Sequence, residues 1–150
     1  MEGNRAQGET LLKLQKRFVG LIAGKRGLNH KDPLFAKYGI LTVGDLYRQQ
    51  LRLHAWKFWN GRLPDSQAAM LRRVGESHSY GTRSARSGLV VGSGGHRLVE
   101  YRVPAEWRTR TEDQRGLGSV AGFKRSSKGD FLVEYETFPC SVTGCRVCGS

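Results

Sequence analysis

The chain has 150 residues, of which 38% are hydrophobic, 25% are charged and 20 are glycine. This composition fits one domain, or two small ones, with a modest core and long loops. Its 25 Lys and Arg against 13 Asp and Glu give a formal charge of +12, which favours a polyanionic partner: nucleic acid first, an anionic membrane second. The polar start Met1-Glu2-Gly3-Asn4-Arg5 leads into no apolar signal core. The longest apolar stretch, Phe18 to Ala23, falls far short of the ~20 residues of a membrane span, so no membrane partner is expected. Three cysteines do not make a disulfide scaffold. The expected setting is intracellular, nuclear or cytoplasmic, with reduced thiols.

Residues 1–76 hold 14 basic and six acidic side chains, residues 77–116 seven and four, and residues 117–150 four and three. The positive charge therefore concentrates in the N-terminal half, which also carries the clearest helical pattern. Leu11, Leu14, Phe18, Leu21 and Ile22 recur at three- and four-residue steps and draw one apolar stripe on a helix from Thr10 to Gly24. Lys13, Lys16 and Arg17 lie largely outside it. A short second helix starts at Asp32-Pro33 and stops at Gly39. A third is predicted from the Thr42/Asp45 pair, which resembles a capping box, to about Asn60, before Gly61. Its apolar face is wide: Leu46, Leu53, Trp56 and Trp59, with Tyr47, Leu51, Ala55 and Phe58 beside them. A fourth helix is expected from Asp65 or Ser66 to Gly75.

The texture changes at residue 76. Glu76 to Gly95 is rich in Ser, Gly and Arg and reads as a loop. Leu89–Val91 predicts a short strand. Val99, Tyr101 and Val103, alternating with Glu100 and Arg102, predict another, closed by Pro104. A helical turn around Trp107 follows, and Ser119 is positioned to cap a last helix carrying Val120, Phe123, Phe131 and Tyr135. The expected fold is thus α+β and mainly helical. It comprises a helical bundle lobe over 1–76, a basic loop and small β region over 77–116, and a C-terminal helix with a Cys-rich tail over 117–150.

Cys140, Cys145 and Cys148 are spaced C-x4-C-x2-C. Two thiolates two residues apart can share one tetrahedral zinc ion, and zinc is the one cofactor the sequence suggests. A fourth ligand is not near in sequence. Nothing else in the chain requires a cofactor. Gly20 to Lys25 has one residue too few for a phosphate loop, and Arg26 stands where Ser or Thr belongs. No adjacent pair among Asp32, Asp45, Asp65, Asp113 and Asp130 offers the paired carboxylates of a two-metal centre, so no catalytic residue is assigned. Trp56-Lys57-Phe58-Trp59 could stack bases if exposed, but on an amphipathic helix it reads as core. The loop His78 to Arg86 places Arg83 and Arg86 where they can hold phosphate bidentately.

These pieces, in this order, resemble the C-terminal segment of reverse transcriptases from non-LTR (LINE-like) retrotransposons. The likeness runs from Leu14-Gln15-Lys16-Arg17 through Pro33-Leu34-Phe35, Gly39-Ile40-Leu41, Asp45-Leu46-Tyr47, Lys57-Phe58, Leu63-Pro64 and His78-Ser79-Tyr80-Gly81-Thr82-Arg83. It ends with Trp107, Phe123-Lys124-Arg125, Lys128 and the Cys-rich end. The resemblance implies a helical thumb and its downstream region, gripping a template–primer duplex through its backbone. The palm's Tyr-x-Asp-Asp is absent from this chain, so an RNA-directed DNA polymerase activity is not expected of the chain alone. The expected function is non-catalytic binding of an RNA–DNA or DNA duplex, with Lys13, Lys16, Arg17, Lys25, Arg26, Arg83 and Arg86 on phosphate. The alternative is a small protein-interaction or zinc-assisted assembly module. Oligomeric state is not legible.

Overall fold

The computed structural model describes residues 3–24, 32–77, 88–91 and 99–137. Eight helices lie among them: α1 (Gly3–Ile22), α2 (Asp32–Tyr38), α3 (Val43–Trp59), α4 (Asp65–Ala68), α5 (Val74–Ser77), α6 (Val99–Arg108), α7 (Glu112–Arg115) and α8 (Val120–Thr137). The chain divides into two compact units. Unit 1 is Met1–Tyr47 with Lys128–Ser150, and unit 2 is Arg48–Ser127. The divisions fall inside α3 and inside α8.

The described residues form no sheet, which corrects the α+β expectation. The expected strand at Val99–Val103 is the first half of α6. Pro104, expected to close it, sits inside the helix. The alternation of Val99, Tyr101 and Val103 competes with a second pattern: Val103, Pro104 and Trp107, all fully buried, share one face at helical spacing. Burying that face outweighs the ~3 kcal/mol a proline costs inside a helix. The other expected strand shrinks to one antiparallel bridge between Arg73 and Leu89, closed by Val74 N–H to Gly88 O at 2.9 Å and Val90 N–H to Arg72 O at 2.9 Å. That bridge falls within the span expected as one helix from Asp65 to Gly75, which is instead the two single turns α4 and α5.

The helix ends follow local chemistry. Gly39 (φ +59°) and Gly61 (φ +63°) stop α2 and α3 in the left-handed region, where a side chain would be strained. Ile40 N–H reaches Phe35 O at 2.9 Å and Arg62 N–H reaches Lys57 O at 2.7 Å, the six-to-one closure of a glycine-terminated helix. Ser119 Oγ accepts the Gly122 N–H at 3.0 Å and caps α8. A reciprocal Thr111/Gln114 capping box starts α7. Gly122 and Gly129 do not break α8, because Phe123, Ser127 and Phe131, all buried, repeat every four residues and anchor one face.

In unit 1, Val19, Leu34 and Phe35 form a small core, with Ala23, Ile40 and Tyr135 packed on it. The Tyr135 ring meets Phe35 edge-on at 6.4 Å. Gln15 ties α1 to the chain before α3, donating to Leu41 O at 2.7 Å and accepting from Val43 N–H at 3.0 Å. In unit 2 the core is larger: Leu51, Leu53, Ala55, Trp56, Leu71, Leu89, Val103, Trp107 and Phe123. Of the expected α3 face, Leu51, Leu53, Ala55 and Trp56 are buried in this core, while Leu46 and Tyr47, at the start of the helix, are exposed. Trp56 is fully buried, and Phe58 and Trp59 pack against the same cluster, so the Trp56–Trp59 segment is core.

Candidate nucleic-acid interface

Unit 2 is built on four aromatic rings. Trp59 lies 5.7 Å from Trp107, Trp107 6.5 Å from Phe123, and Phe123 stacks on Trp56 at 5.8 Å, centroid to centroid. The Trp56 indole N–H donates to Leu117 O at 3.0 Å, so its burial leaves no polar atom stranded. Three arginines lie on these rings. The Arg62 guanidinium is 5.0 Å from the Trp56 ring centre, that of Arg73 4.7 Å from Trp59, and that of Arg115 5.3 Å from Trp107. Each gains a cation–π attraction. Arg73 also donates to Trp59 O at 2.8 Å and Arg115 to Trp107 O at 3.2 Å. A guanidinium held flat on a ring keeps its outer N–H edge for other acceptors, and it matches phosphate bidentately.

A second set of cations follows from the helical register. Lys124 and Arg125 come directly after Phe123, Arg108 directly after Trp107, and Arg72 precedes Arg73. On a helix a residue next to a buried position is turned ~100° away from it, as Lys124 is from Phe123 and Arg108 from Trp107, whereas Arg72 lies on no helix, beside the bridge at Arg73; all four are exposed. They carry no ion pair among the described residues. Unit 2 as a whole holds 15 Lys and Arg against six Asp and Glu, a surplus of nine. Unit 1 holds ten against seven, a surplus of three.

One ion-pair group in this unit is structural. Glu106 accepts from Arg48 Nε and Arg52 Nε, each at 2.9 Å. Arg52 is 3% exposed and also reaches Ser127 Oγ at 3.4 Å. Burial pushes the Glu106 carboxyl up, but the two arginines outweigh it and hold it below the ordinary carboxylate range. Burial lowers the Arg52 guanidinium against the pull of Glu106. His54 is pushed below the ordinary imidazole value by burial and by Lys57, and its Nε2 is buried without a partner.

Of the residues singled out from sequence, Lys13 and Arg17 are exposed on α1 and Lys16 is half-buried there. All three belong to unit 1. Lys25, Arg26, Arg83, Arg86, Cys140, Cys145 and Cys148 lie outside the described residues. Among the described residues no group of three or more His, Cys, Asp or Glu is placed to hold a metal ion, and no helix is long and apolar enough to cross a membrane. Sequence reasoning missed Arg62, Arg73 and Arg115 as ring-bound cations. It also did not assign Arg72, Arg108, Lys124 and Arg125 to the candidate surface. For Arg108 and Lys124 the available signal was a basic residue directly after Trp107 and Phe123. No family model, curated protein or solved structure matches the chain.

Proposed function

We propose that this chain is a nucleic-acid-binding module without chemistry of its own, which grips the sugar-phosphate backbone of an RNA–DNA or DNA duplex. The observation that carries the reading is the surplus of nine positive charges in unit 2, which includes the exposed Arg72, Arg108, Lys124 and Arg125 and the ring-bound Arg62, Arg73 and Arg115. Buried rings make a rigid platform, and the arginines on it are held ready for phosphate oxygens. Lys13, Lys16 and Arg17, with Lys25, Arg26, Arg83 and Arg86, are proposed as further phosphate contacts. Such contacts position a strand and carry no sequence information, which suits a thumb-like grip and a nuclear or cytoplasmic setting. Kinship with the C-terminal part of non-LTR reverse transcriptases is proposed on the order of motifs. An in-frame palm with paired aspartates upstream of this segment in the genome would establish it, and an unrelated frame would remove it.

The binding reading is tested with an RNA–DNA hybrid at two salt concentrations. Four phosphates neutralised by the exposed set give an affinity loss of roughly 10²-fold between 50 and 200 mM salt. Lys124→Glu combined with Arg125→Glu lowers both the affinity and the slope. A salt-independent affinity removes the proposal. Incubation of the purified chain with template, primer, nucleotides and Mg²⁺ gives no product; synthesis would make it an enzyme.

A further inference from the structure

An apolar stripe on a helix ordinarily faces the core. That of α1 does not. Leu11, Leu14, Phe18, Leu21 and Ile22 are exposed, from 43% at Leu14 to 66% at Ile22. The face that packs is the adjoining one, marked by Val19 and Gln15. The five side chains span an arc of about 100° and a length of about 16 Å on an α-helix. Leu11, Leu14, Phe18 and Leu21 follow the three-four-three spacing of a coiled-coil seam. Arg17 and Lys13 border the stripe on one side, and no carboxylate lies within it.

We propose that this stripe is a docking surface for an amphipathic helix of a partner protein, with a leucine-type seam flanked by Asp or Glu. Narrow width and heptad spacing fit a helix. Lys13 and Arg17 fit its acidic flank, as does the chain's +12 charge. A second copy of the chain fits less well: it brings the same cations to the seam, and a stripe shorter than two full heptads does not hold like-charged helices together. A lipid surface also fits less well. A helix lying in it is flanked by cations on both sides, whereas the second flank here carries Gln15, tied to backbone.

The probe is a labelled three-heptad peptide with Leu at the seam and Glu beside it, compared with one carrying Lys beside the same seam. Anisotropy with the full chain is expected to show binding of the acidic peptide only, weakened at least about tenfold by Phe18→Glu. Phe18 is exposed, so circular dichroism of that variant stays unchanged. Arg17→Glu is expected to weaken the acidic peptide and admit the Lys peptide. Equal binding of both peptides, binding of neither, a Phe18-dependent dimer in sedimentation, or Phe18-dependent capture by phosphatidylserine vesicles would each overturn the proposal. The Lys124→Glu/Arg125→Glu variant is expected to bind the acidic peptide as before, which keeps this inference and the binding role of unit 2 separately testable; loss of peptide binding in that variant would also overturn it.

Discussion

Unit 1 and unit 2 spend similar residues in opposite ways. Unit 2 gathers most of its large apolar side chains, Trp56, Trp107 and Phe123 among them with Trp59 packed against them, into one cluster, and it carries the larger surplus of positive charge. Unit 1 closes a core on Val19, Leu34 and Phe35 while leaving five large apolar side chains of α1 open. The difference teaches that hydrophobic periodicity fixes the existence of a helix but not which side goes in. In α3 the periodic face is buried from Leu51 onward, while Leu46 and Tyr47 at its start are exposed. In α1 the packed face lies beside the periodic one, and the excess is available for a partner.

The largest test of this contrast sets Trp107 against Phe18. Trp107→Ala removes a fully buried indole that touches Trp59, Phe123 and Arg115, and is expected to cost about 3–5 kcal/mol in urea denaturation. Phe18→Ala is expected to stay within about 0.5 kcal/mol, as for an exposed position. Equal costs would mean that the α1 stripe is core after all. Next comes the Glu106 group. Glu106→Ala takes the carboxylate away from the buried Arg52, at about 3 kcal/mol. Arg48→Ala, whose side chain is 40% exposed, costs at most about 1 kcal/mol. Because the folded Glu106 carboxyl titrates below its unfolded value, the stability it lends is present above the ordinary carboxylate range. It is lost as pH falls through the folded value. A flat acid limb in Glu106→Ala alone would confirm the assignment to this residue.

Much of the helical order was legible. The stops at Gly39 and Gly61 and the Ser119 cap rest on interactions within one turn, which a local reading captures. The failures are non-local. Val99, Tyr101 and Val103 alternate as a strand does, and only the partners of Trp107 across the unit decide for a helix. The break between α4 and α5 depends on Leu89 pairing with Arg73, sixteen residues away in sequence. The candidate interface was half visible. Charge was evident from composition, yet the densest surplus belongs to unit 2, not to the first 76 residues, because the fold divides the chain inside α3 and α8. Arg62, Arg73 and Arg115 gave no signal of their own, since a cation resting on a ring is set by tertiary contact.

A smaller effect is expected at His54. Its folded imidazole titrates below the unfolded one, so at pH 7 both states are mostly neutral and the penalty is small. As pH falls below the ordinary value of ~6.5, the unfolded chain gains a proton that the folded one refuses, and stability declines. His54→Gln is expected to flatten that decline between pH 7 and 5.5 in thermal melts; an unchanged slope would place the titration elsewhere.

The smallest expected effect lies in unit 1, at the start of α3. Asp45 accepts from the hydroxyls of Thr42, at 2.6 Å, and Tyr135, while Tyr135 Oη accepts the Thr42 N–H at 3.1 Å. The Thr42/Asp45 cap expected from sequence is therefore completed by a residue 90 positions away. Burial, then the bond to Asp45, pushes the Tyr135 hydroxyl up to about 12. Tyr135→Phe keeps the ring against Phe35 and removes only the hydroxyl. The cost is about 1 kcal/mol, read by denaturation. The sign at high pH is the reverse of that at Glu106: the stability held by the protonated hydroxyl is present below the unfolded value near 10 and is lost as pH rises toward 12. Absorbance titration should then find one tyrosine ionising last, absent in Tyr135→Phe. Its persistence in that variant would show that the hydroxyl at the α3 cap is not the one held back.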